Sequence, residues 1–456
     1  MTVKSKTRQP NSFGHPAFLF VAPGARRSVA GLEGRNSQVA PAAMRVMVRR
    51  LFGSISPDAA FLAAIVLFLV GFGLVMVLSA SAITAYVTTN NAFSVFSRQA
   101  LCAGIGIPVM FIAARLPARF WKRWAVPALL GTFGLQILVL ATPLGVQVGG
   151  NRNWLQLGSL PALQPSEVIK VAIAVWLGLF LTRREGQIGQ WREALLPAAL
   201  VSAAAMALVV VGGDLGSTLI MVGMVLSALL VGGARSKHLL VLVMTDAGLA
   251  LILALSRPSR VTRIMATLNP SAADPLGAGW QVQNGFQAMA RGGMFGVGLG
   301  NSDAKWSWLP AADTDFIFAI IGEELGLIGT ILTVVLFAVL AILLLRIIHG
   351  SQDQFSRVVT AAIMAWISGQ ALVNIAVVLG LLPGIGVPLP FISSGGTSLI
   401  TCLLGIGIVL SLTDHNLKTG PSAGASNRTL GSSEMIQPRT STPSKTSRER
   451  LFQRPR

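Results

Sequence analysis

Residues 59–81 read Ala59-Ala-Phe-Leu-Ala-Ala-Ile-Val-Leu-Phe-Leu-Val-Gly-Phe-Gly-Leu-Val-Met-Val-Leu-Ser-Ala-Ser81, with no charged side chain. A helix rises about 1.5 Å per residue and a bilayer core is about 30 Å thick. An apolar run of about 18 residues or more therefore spans it. Nine further runs of this kind follow, at 97–114, 124–142, 166–182, 194–211, 214–232, 237–256, 315–345, 358–381 and 395–412. The sequence predicts an all-α polytopic membrane protein with ten transmembrane helices.

Composition agrees. Of the 456 residues 53% are apolar and 12% charged, and the mean hydropathy is +0.67. A soluble domain carries about 25% charged residues, so a single water-soluble core is excluded. The net charge of +19 would suit nucleic acid, but its placement argues against that partner: nine of the 36 basic residues lie in the first 50 positions and eight in the last 46. Cys102 and Cys402 sit in apolar runs and read as small buried hydrophobes, not as a disulfide or metal site.

Basic residues set the expected orientation. With a cytoplasmic N-terminus, the inner loops hold Arg115, Arg119, Lys122 and Arg123, then Arg183, Arg184 and Arg192, then Arg235 and Lys237, then Arg346 and Arg357. The outer loops hold mainly Arg98 and Arg152 up to the seventh span. Both termini are expected in the cytoplasm, and the first span reads as an uncleaved signal anchor. A ten-helix membrane domain at 53–415 lies between basic, disordered tails at 1–52 and 416–456. These tails suit contact with anionic membrane lipids or docking of a cytoplasmic partner. Residues 257–314 form a large extracellular loop between helices 7 and 8. Long loops cross regardless of charge and are commonly functional, so this loop is the first place to look for a site.

An ionisable residue inside a span is costly and marks a candidate site. Glu167 and Lys170 are three apart at the start of the fourth span and share a helix face. They suit a local ion pair or a polar floor to an outward cavity. Asp246 lies in the seventh span, Glu323 and Glu324 in the eighth. The eighth run is longer than the bilayer is thick, so it is expected to tilt or project. Asp315 falls at its outer start, where a carboxylate can cap the helix or complement its dipole.

Several blocks resemble one family, the SEDS proteins (shape, elongation, division and sporulation). They are Gly150-Asn-Arg-Asn-Trp-Leu-Gln-Leu-Gly158 with Gln164-Pro-Ser-Glu-Val-Ile-Lys170, and Gly279-Trp-Gln281 with Gly292 to Ser302 and Lys305. Further on come Leu309-Pro310, Thr314-Asp-Phe-Ile-Phe-Ala319, Gly322-Glu-Glu-Leu-Gly326, Asn374, Leu381-Leu-Pro383 and Gly386 to Gly396. Within the family the chain is most similar to the division member of high-GC Gram-positive bacteria, with the elongation member as the near alternative. The chain departs from the family's pattern at Ala311, where Glu is usual, at Asp313, where His is usual, at Gly213 and at Trp280.

The resemblance implies a peptidoglycan glycosyltransferase that polymerises lipid II into β-1,4-linked glycan at the outer face of the cytoplasmic membrane during septal synthesis. Its partners would be lipid II, a class B penicillin-binding protein transpeptidase and other division proteins. The essential acid of the family falls on Asp315. A sugar hydroxyl needs a base to accept its proton, and inversion at the anomeric carbon places that base on the acceptor side. The diphosphate leaving group needs cations. Lys305 and Arg152 are the first candidates, followed by Arg263, Arg291 and Lys170. Glu167, Gln281, Ser393 and Ser394 are expected at the substrate by the same resemblance. Asp313-Thr314-Asp315 also spells a short acidic pair of the kind that holds a metal under a diphosphate, so a divalent cation (Mg or Mn) is a candidate cofactor, with no ligand set assigned and no organic cofactor expected. Gly292–Gly300 follows no strand, so close backbone packing explains it better than a nucleotide fingerprint. The competing functions are a flippase for the lipid-linked precursor and a non-catalytic scaffold for the transpeptidase. No inverted repeat of hydropathy favours a transporter.

Overall fold

The computed structural model describes residues 56–148, 151–156, 162–256, 258–268, 278–305, 309 and 311–419. Ten helices among them are long and apolar enough to cross a membrane, at the places the sequence predicts. The spanning elements are α1 (Pro57–Thr89), α2 (Ser94–Arg115), α3 (Ala118–Ala141), α4 (Pro165–Arg183), α5 (Leu196–Val211), α6 (Leu215–Gly232), α7 (Ser236–Leu255), α10 (Ile317–Gly350), α11 (Gln354–Val378) and α12 (Gly396–Thr419). A π-helical turn at Trp191–Leu195 extends α5 at its start. The expected tail at 1–52 lies outside the described residues. Of the tail at 416–456, residues 416–419 continue α12 and the rest lies outside them.

Local chemistry sets the helix ends. Ser56 caps α1 by accepting from the Ala59 amide at 3.2 Å, with Pro57 at the first helical position. Asp214 caps α6 through the Ser217 amide at 2.8 Å. Between membrane helices there is little hydrophobic drive, so small residues and side-chain hydrogen bonds decide the contacts. A Cβ on Gly407 of α12 would lie 2.5 Å from the Met110 carbonyl oxygen of α2. Likewise, a Cβ on Gly73 of α1 would lie 2.5 Å from the Phe391 carbonyl oxygen. The most enclosed helix is α4, which packs against α3, α6, α11 and α12, whereas α7 has no buried side chain.

Loops after odd-numbered spans share one side of the membrane. That side collects a two-stranded antiparallel hairpin, β1 (Gly145–Val148) and β2 (Asn151–Leu155), with Val146 opposite Trp154. It also collects the α5–α6 turn with Asp214, the long segment after α7, and the α11–α12 connection. The long segment carries two helices, α8 (Pro258–Leu268) and α9 (Ala278–Gly292).

The eighth span differs from the expectation of one long tilted helix. Gly326 (φ 68°, ψ −161°) breaks α10, and the glycine loop after α9 fills the break. The amides of Val297 and Gly298 donate to the carbonyls of Glu323 and Glu324 at 2.9 and 3.0 Å. Leu327 and Ile328 donate back to Gly293 and Met294 at 2.9 and 3.4 Å. Backbone groups freed by the break are thereby satisfied, as the membrane interior requires. A Cβ on Gly296 would overlap the Glu324 carbonyl, and one on Gly292 the Gly322 carbonyl. Close backbone packing is what these glycines serve. Asp315 is not a helix cap either: the N-cap position of α10 is Phe316, and no side chain bonds there.

Candidate active site

Asp315 sits in the turn that leads into α10. Ala311 holds a left-handed φ of 56°, and its carbonyl accepts from the amides of Thr314 and Phe316, both at 3.1 Å. Three successive carbonyls further along this turn are each met by a donor from elsewhere. Asp313 accepts from the Ser394 amide at 2.8 Å, Thr314 from the Ser393 hydroxyl at 2.5 Å, and Asp315 from the Asn374 side-chain amide at 2.8 Å. The backbone that carries the carboxylate is thus fixed at three successive carbonyls. Phe316, the next residue, is buried beneath.

The Asp315 carboxyl is half-buried and lies against Gly386, whose own φ is 69°. Burial, then the charge of Asp313, push its pKa up; Arg263 lowers it, and Asp214 raises it again, leaving it at about 6. Asp313 is raised too, chiefly by burial, against hydrogen bonds that favour its charged form. The exposed Arg263 donates to the Gly384 carbonyl at 3.4 Å. Asp214 accepts from Gln164 at 3.1 Å and from Ser166 at 3.3 Å as well as capping α6. A carboxyl with a pKa near neutral can take a proton from a hydroxyl and release it again.

The expected site residues fall into groups. Arg263, Ser393 and Ser394 gather at the Asp315 turn. The two serines hold its backbone: the Ser393 hydroxyl also accepts from the Leu389 amide at 2.8 Å, and the Ser393 carbonyl accepts from Gln99 at 3.0 Å. Lys170 and Glu167 form a buried ion pair at 2.6 Å on α4, so of the two alternatives open for them the structure takes the local pair. Lys170 also donates to Gln370 at 3.0 Å and lies over the Trp366 ring. Lys305 is buried and paired with Glu324 at 3.4 Å, besides donating to the Gly300 carbonyl. It holds the loop to the broken α10 and does not face outward. Arg152 is exposed on β2 and donates to the Thr142 carbonyl at 2.6 Å. Arg291, exposed at the end of α9, is 3.5 Å from Asp303. Gln281 is half-buried on α9.

Two residues at the turn were missed by sequence reasoning as site residues: Asn374 and Asp214. Asn374 stands among the quoted family blocks, and Asp214 directly follows Gly213, where the chain departs from the family's pattern; those places are the signal that marks them. Of the other in-span acids, Glu323 and Glu324 are structural, whereas Asp246 lies on α7, which has no buried side chain. Glu323 accepts from the Ser302 hydroxyl at 2.5 Å and from the amides of Asp303 and Ala304 at 3.1 and 3.3 Å. Glu324 accepts from the Ser79 hydroxyl of α1 at 2.6 and 2.7 Å. Among the described residues, no three His, Cys, Asp or Glu side chains converge to hold a metal, Asp313 and Asp315 included.

A multi-pass membrane protein with a half-buried, near-neutral carboxyl at the shared mouth of its odd-numbered loops is the class defined so far. The comparisons with known proteins make it narrower. The chain belongs to the FtsW/RodA/SpoVE family of cell cycle proteins, which matches it over residues 60–418. It is 38% identical over 361 residues to the stage V sporulation protein E of Bacillus subtilis, covering 79% of this chain and 98% of that one. It is also 38% identical over 352 residues to the probable peptidoglycan glycosyltransferase FtsW of Mycobacterium tuberculosis, covering 77% of this chain and 67% of the relative. Among solved structures, a peptidoglycan synthase complex that coordinates polymerization and crosslinking contains a chain with 26% identity and a TM-score of 0.64, covering 80% of this chain and 99% of that one. The rod shape determining protein RodA of Thermus thermophilus has 25% identity and a TM-score of 0.59, covering 80% and 98%.

Proposed function

We propose that this chain is a peptidoglycan glycosyltransferase that polymerises lipid II at the outer face of the cytoplasmic membrane. In the reaction, the 4-hydroxyl of the acceptor sugar attacks the anomeric carbon of the donor. The new carbon–oxygen bond forms as the bond to the diphosphate breaks, with inversion. Asp315 accepts the hydroxyl proton, and undecaprenyl diphosphate leaves with the bonding electrons. The observation that carries this reading is the Asp315 carboxyl itself, with its pKa near 6 and its backbone held at three successive carbonyls. Relatives named as probable peptidoglycan glycosyltransferases support the reaction class.

Arg263 is the favoured cation for the leaving diphosphate, being exposed and near enough to Asp315 for its charge to act on that carboxyl. Each step is assigned to the substrate and the chain's own residues. The orientation follows from the basic inner loops, which put Asp315 outside. A class B penicillin-binding protein as partner is supported by the structural likeness to a chain of a polymerization and crosslinking complex. Action at the division septum is supported by the relatives named FtsW.

The test is polymerisation of labelled lipid II by the purified protein, with and without its transpeptidase, beside Asp315→Ala and Asp313→Ala. Polymer lost only with Asp315→Ala supports the base. Loss with both variants points to a paired-carboxylate or metal site. A wild-type protein that binds lipid II yet makes no polymer with its partner would return the flippase and scaffold readings.

A further inference from the structure

The Glu167–Lys170 pair lies in the bundle, whereas the reaction is assigned to a turn before α10. A column of side chains on one face of α11 joins them. Trp366, Gln370 and Asn374 are four residues apart and so line up along the helix. The Trp366 indole donates to the Gln370 side-chain oxygen at 3.0 Å, and Lys170 donates to the same oxygen at 3.0 Å. The Gln370 amide donates to the Pro388 carbonyl at 2.9 Å. One turn further on, the Asn374 amide donates both to the Val387 carbonyl at 2.7 Å and to the Asp315 carbonyl at 2.8 Å.

The segment these amides hold is short of backbone donors of its own around positions 387–390. Pro388 and Pro390 have no amide hydrogen, and Gly386 and Phe391 take left-handed φ values of 69° and 64°. Two consecutive carbonyls, Val387 and Pro388, are therefore met by side chains of α11. The same segment ends in Ser393 and Ser394, which donate to the Thr314 and Asp313 carbonyls. Gln370 and Asn374 are each 1% exposed, and the Asn374 side-chain oxygen has no hydrogen-bond partner among the described residues. A buried amide that leaves its acceptor unmet is costly. What it gains here is the bridge between the 387–388 backbone and Asp315.

We infer that Asn374 and Gln370 are positioning residues for Asp315, and that the Glu167–Lys170 pair acts on the reaction through Gln370 rather than by touching substrate. The inference rests on Asp315 being the base. Lys170 fixes the Gln370 amide so that its donor faces Pro388, and Asn374 locks the resulting backbone to the carbonyl of the reacting residue. Loss of a link leaves the substrate's binding groups in place but lets the carboxylate drift, and small misplacements of a base are expensive.

The experiment is steady-state polymerisation of labelled lipid II in the full-length protein with its transpeptidase, for Asn374→Leu, Gln370→Leu, Gln370→Glu, Lys170→Met and Asp315→Ala. Ser227→Ala is the control, since Ser227 bonds the Ala361 carbonyl on another part of α11. Asn374→Leu and Gln370→Leu are expected to lower kcat about tenfold or more, about 1.4 kcal/mol of barrier, with KM within about threefold. Gln370→Glu keeps the acceptor for Lys170 and Trp366 but loses the donor to Pro388, so it should fall with Gln370→Leu. Lys170→Met should follow in kcat, and Ser227→Ala should match wild type. The pH profile of kcat should move in Asn374→Leu, which a loss of mere stability would not cause. Wild-type kcat in Asn374→Leu and Gln370→Leu beside an inactive Asp315→Ala overturns the inference, as does a loss confined to KM. An active Asp315→Ala instead overturns the assignment of the base. Where Asn374→Leu yields no folded protein, Gln370→Glu, which removes a single donor, decides by the same readings.

Discussion

The acid limb of the polymerisation rate tests the site most directly. With a carboxyl pKa of about 6, the base is about 9% ionised at pH 5 and about 91% ionised at pH 7. The rate should rise about tenfold between those values and level off above them. A carboxyl at the ordinary Asp value of about 3.9 would be about 93% ionised already at pH 5, and the rate would be nearly flat. The disubstituted diphosphate of the proposed substrate does not titrate in this window, so the limb reports on the protein. The neighbours give the sign of two shifts. Asp313→Asn removes a charge that raises Asp315, so the midpoint should fall. Arg263→Gln removes the charge that lowers it, so the midpoint should rise. The assay is initial-rate polymerisation of labelled lipid II from pH 4.5 to about 8, with the folded fraction measured at each pH. A flat profile between pH 5 and pH 7 in intact protein, or shifts of the opposite sign, would falsify the assignment of Asp315 as base.

The same carboxyl has a stability consequence. Its folded pKa of about 6 lies above the ordinary aspartate value of 3.8, so ionisation disfavours the folded state as pH rises from about 4 to 6. The full shift is worth at most about 3 kcal/mol at 1.36 kcal/mol per unit, less what water reaching the half-buried group screens. Asp315→Asn should therefore raise the melting temperature at pH 7 and leave it nearly unchanged at pH 4, in a thermal-shift series. Lys305→Met strands Glu324 as a buried unpaired charge and should cost about 3–5 kcal/mol. Adding Glu324→Gln should recover much of that loss in denaturant melts; no recovery would mean the pair does not act as a unit. Gly296→Ala places a methyl where the Glu324 carbonyl lies, at a φ of 81°. It should cut the yield of folded protein in detergent, whereas an alanine at Gly131, which meets nothing within 4 Å, should not.

The membrane architecture was legible because a span is a local property: length and apolarity decide it, residue by residue. The ten runs therefore needed no tertiary information. The break in α10 was not legible for the opposite reason. Ile317 to Gly350 is apolar throughout apart from a few residues, and Gly326 looks like any glycine at a helix contact until Gly293 to Gly298 is known to pass beside it. The charges divided in the same way. Lys305 stands first among the expected substrate cations for its place in a motif and Lys170 last, but a lysine in an apolar segment is paired more cheaply than it is left facing a cavity. In each case the partner, Glu167 or Glu324, was already visible as an in-span acid. Glu324, 19 positions on, is the acid that neutralises Lys305. Asp315 could be picked out but not its means of support. Three donors from positions 374, 393 and 394 converge on carbonyls 313 to 315. Sequence separation of that size carries no spacing rule, because only the return of α11 and its following loop to the same membrane face brings them together.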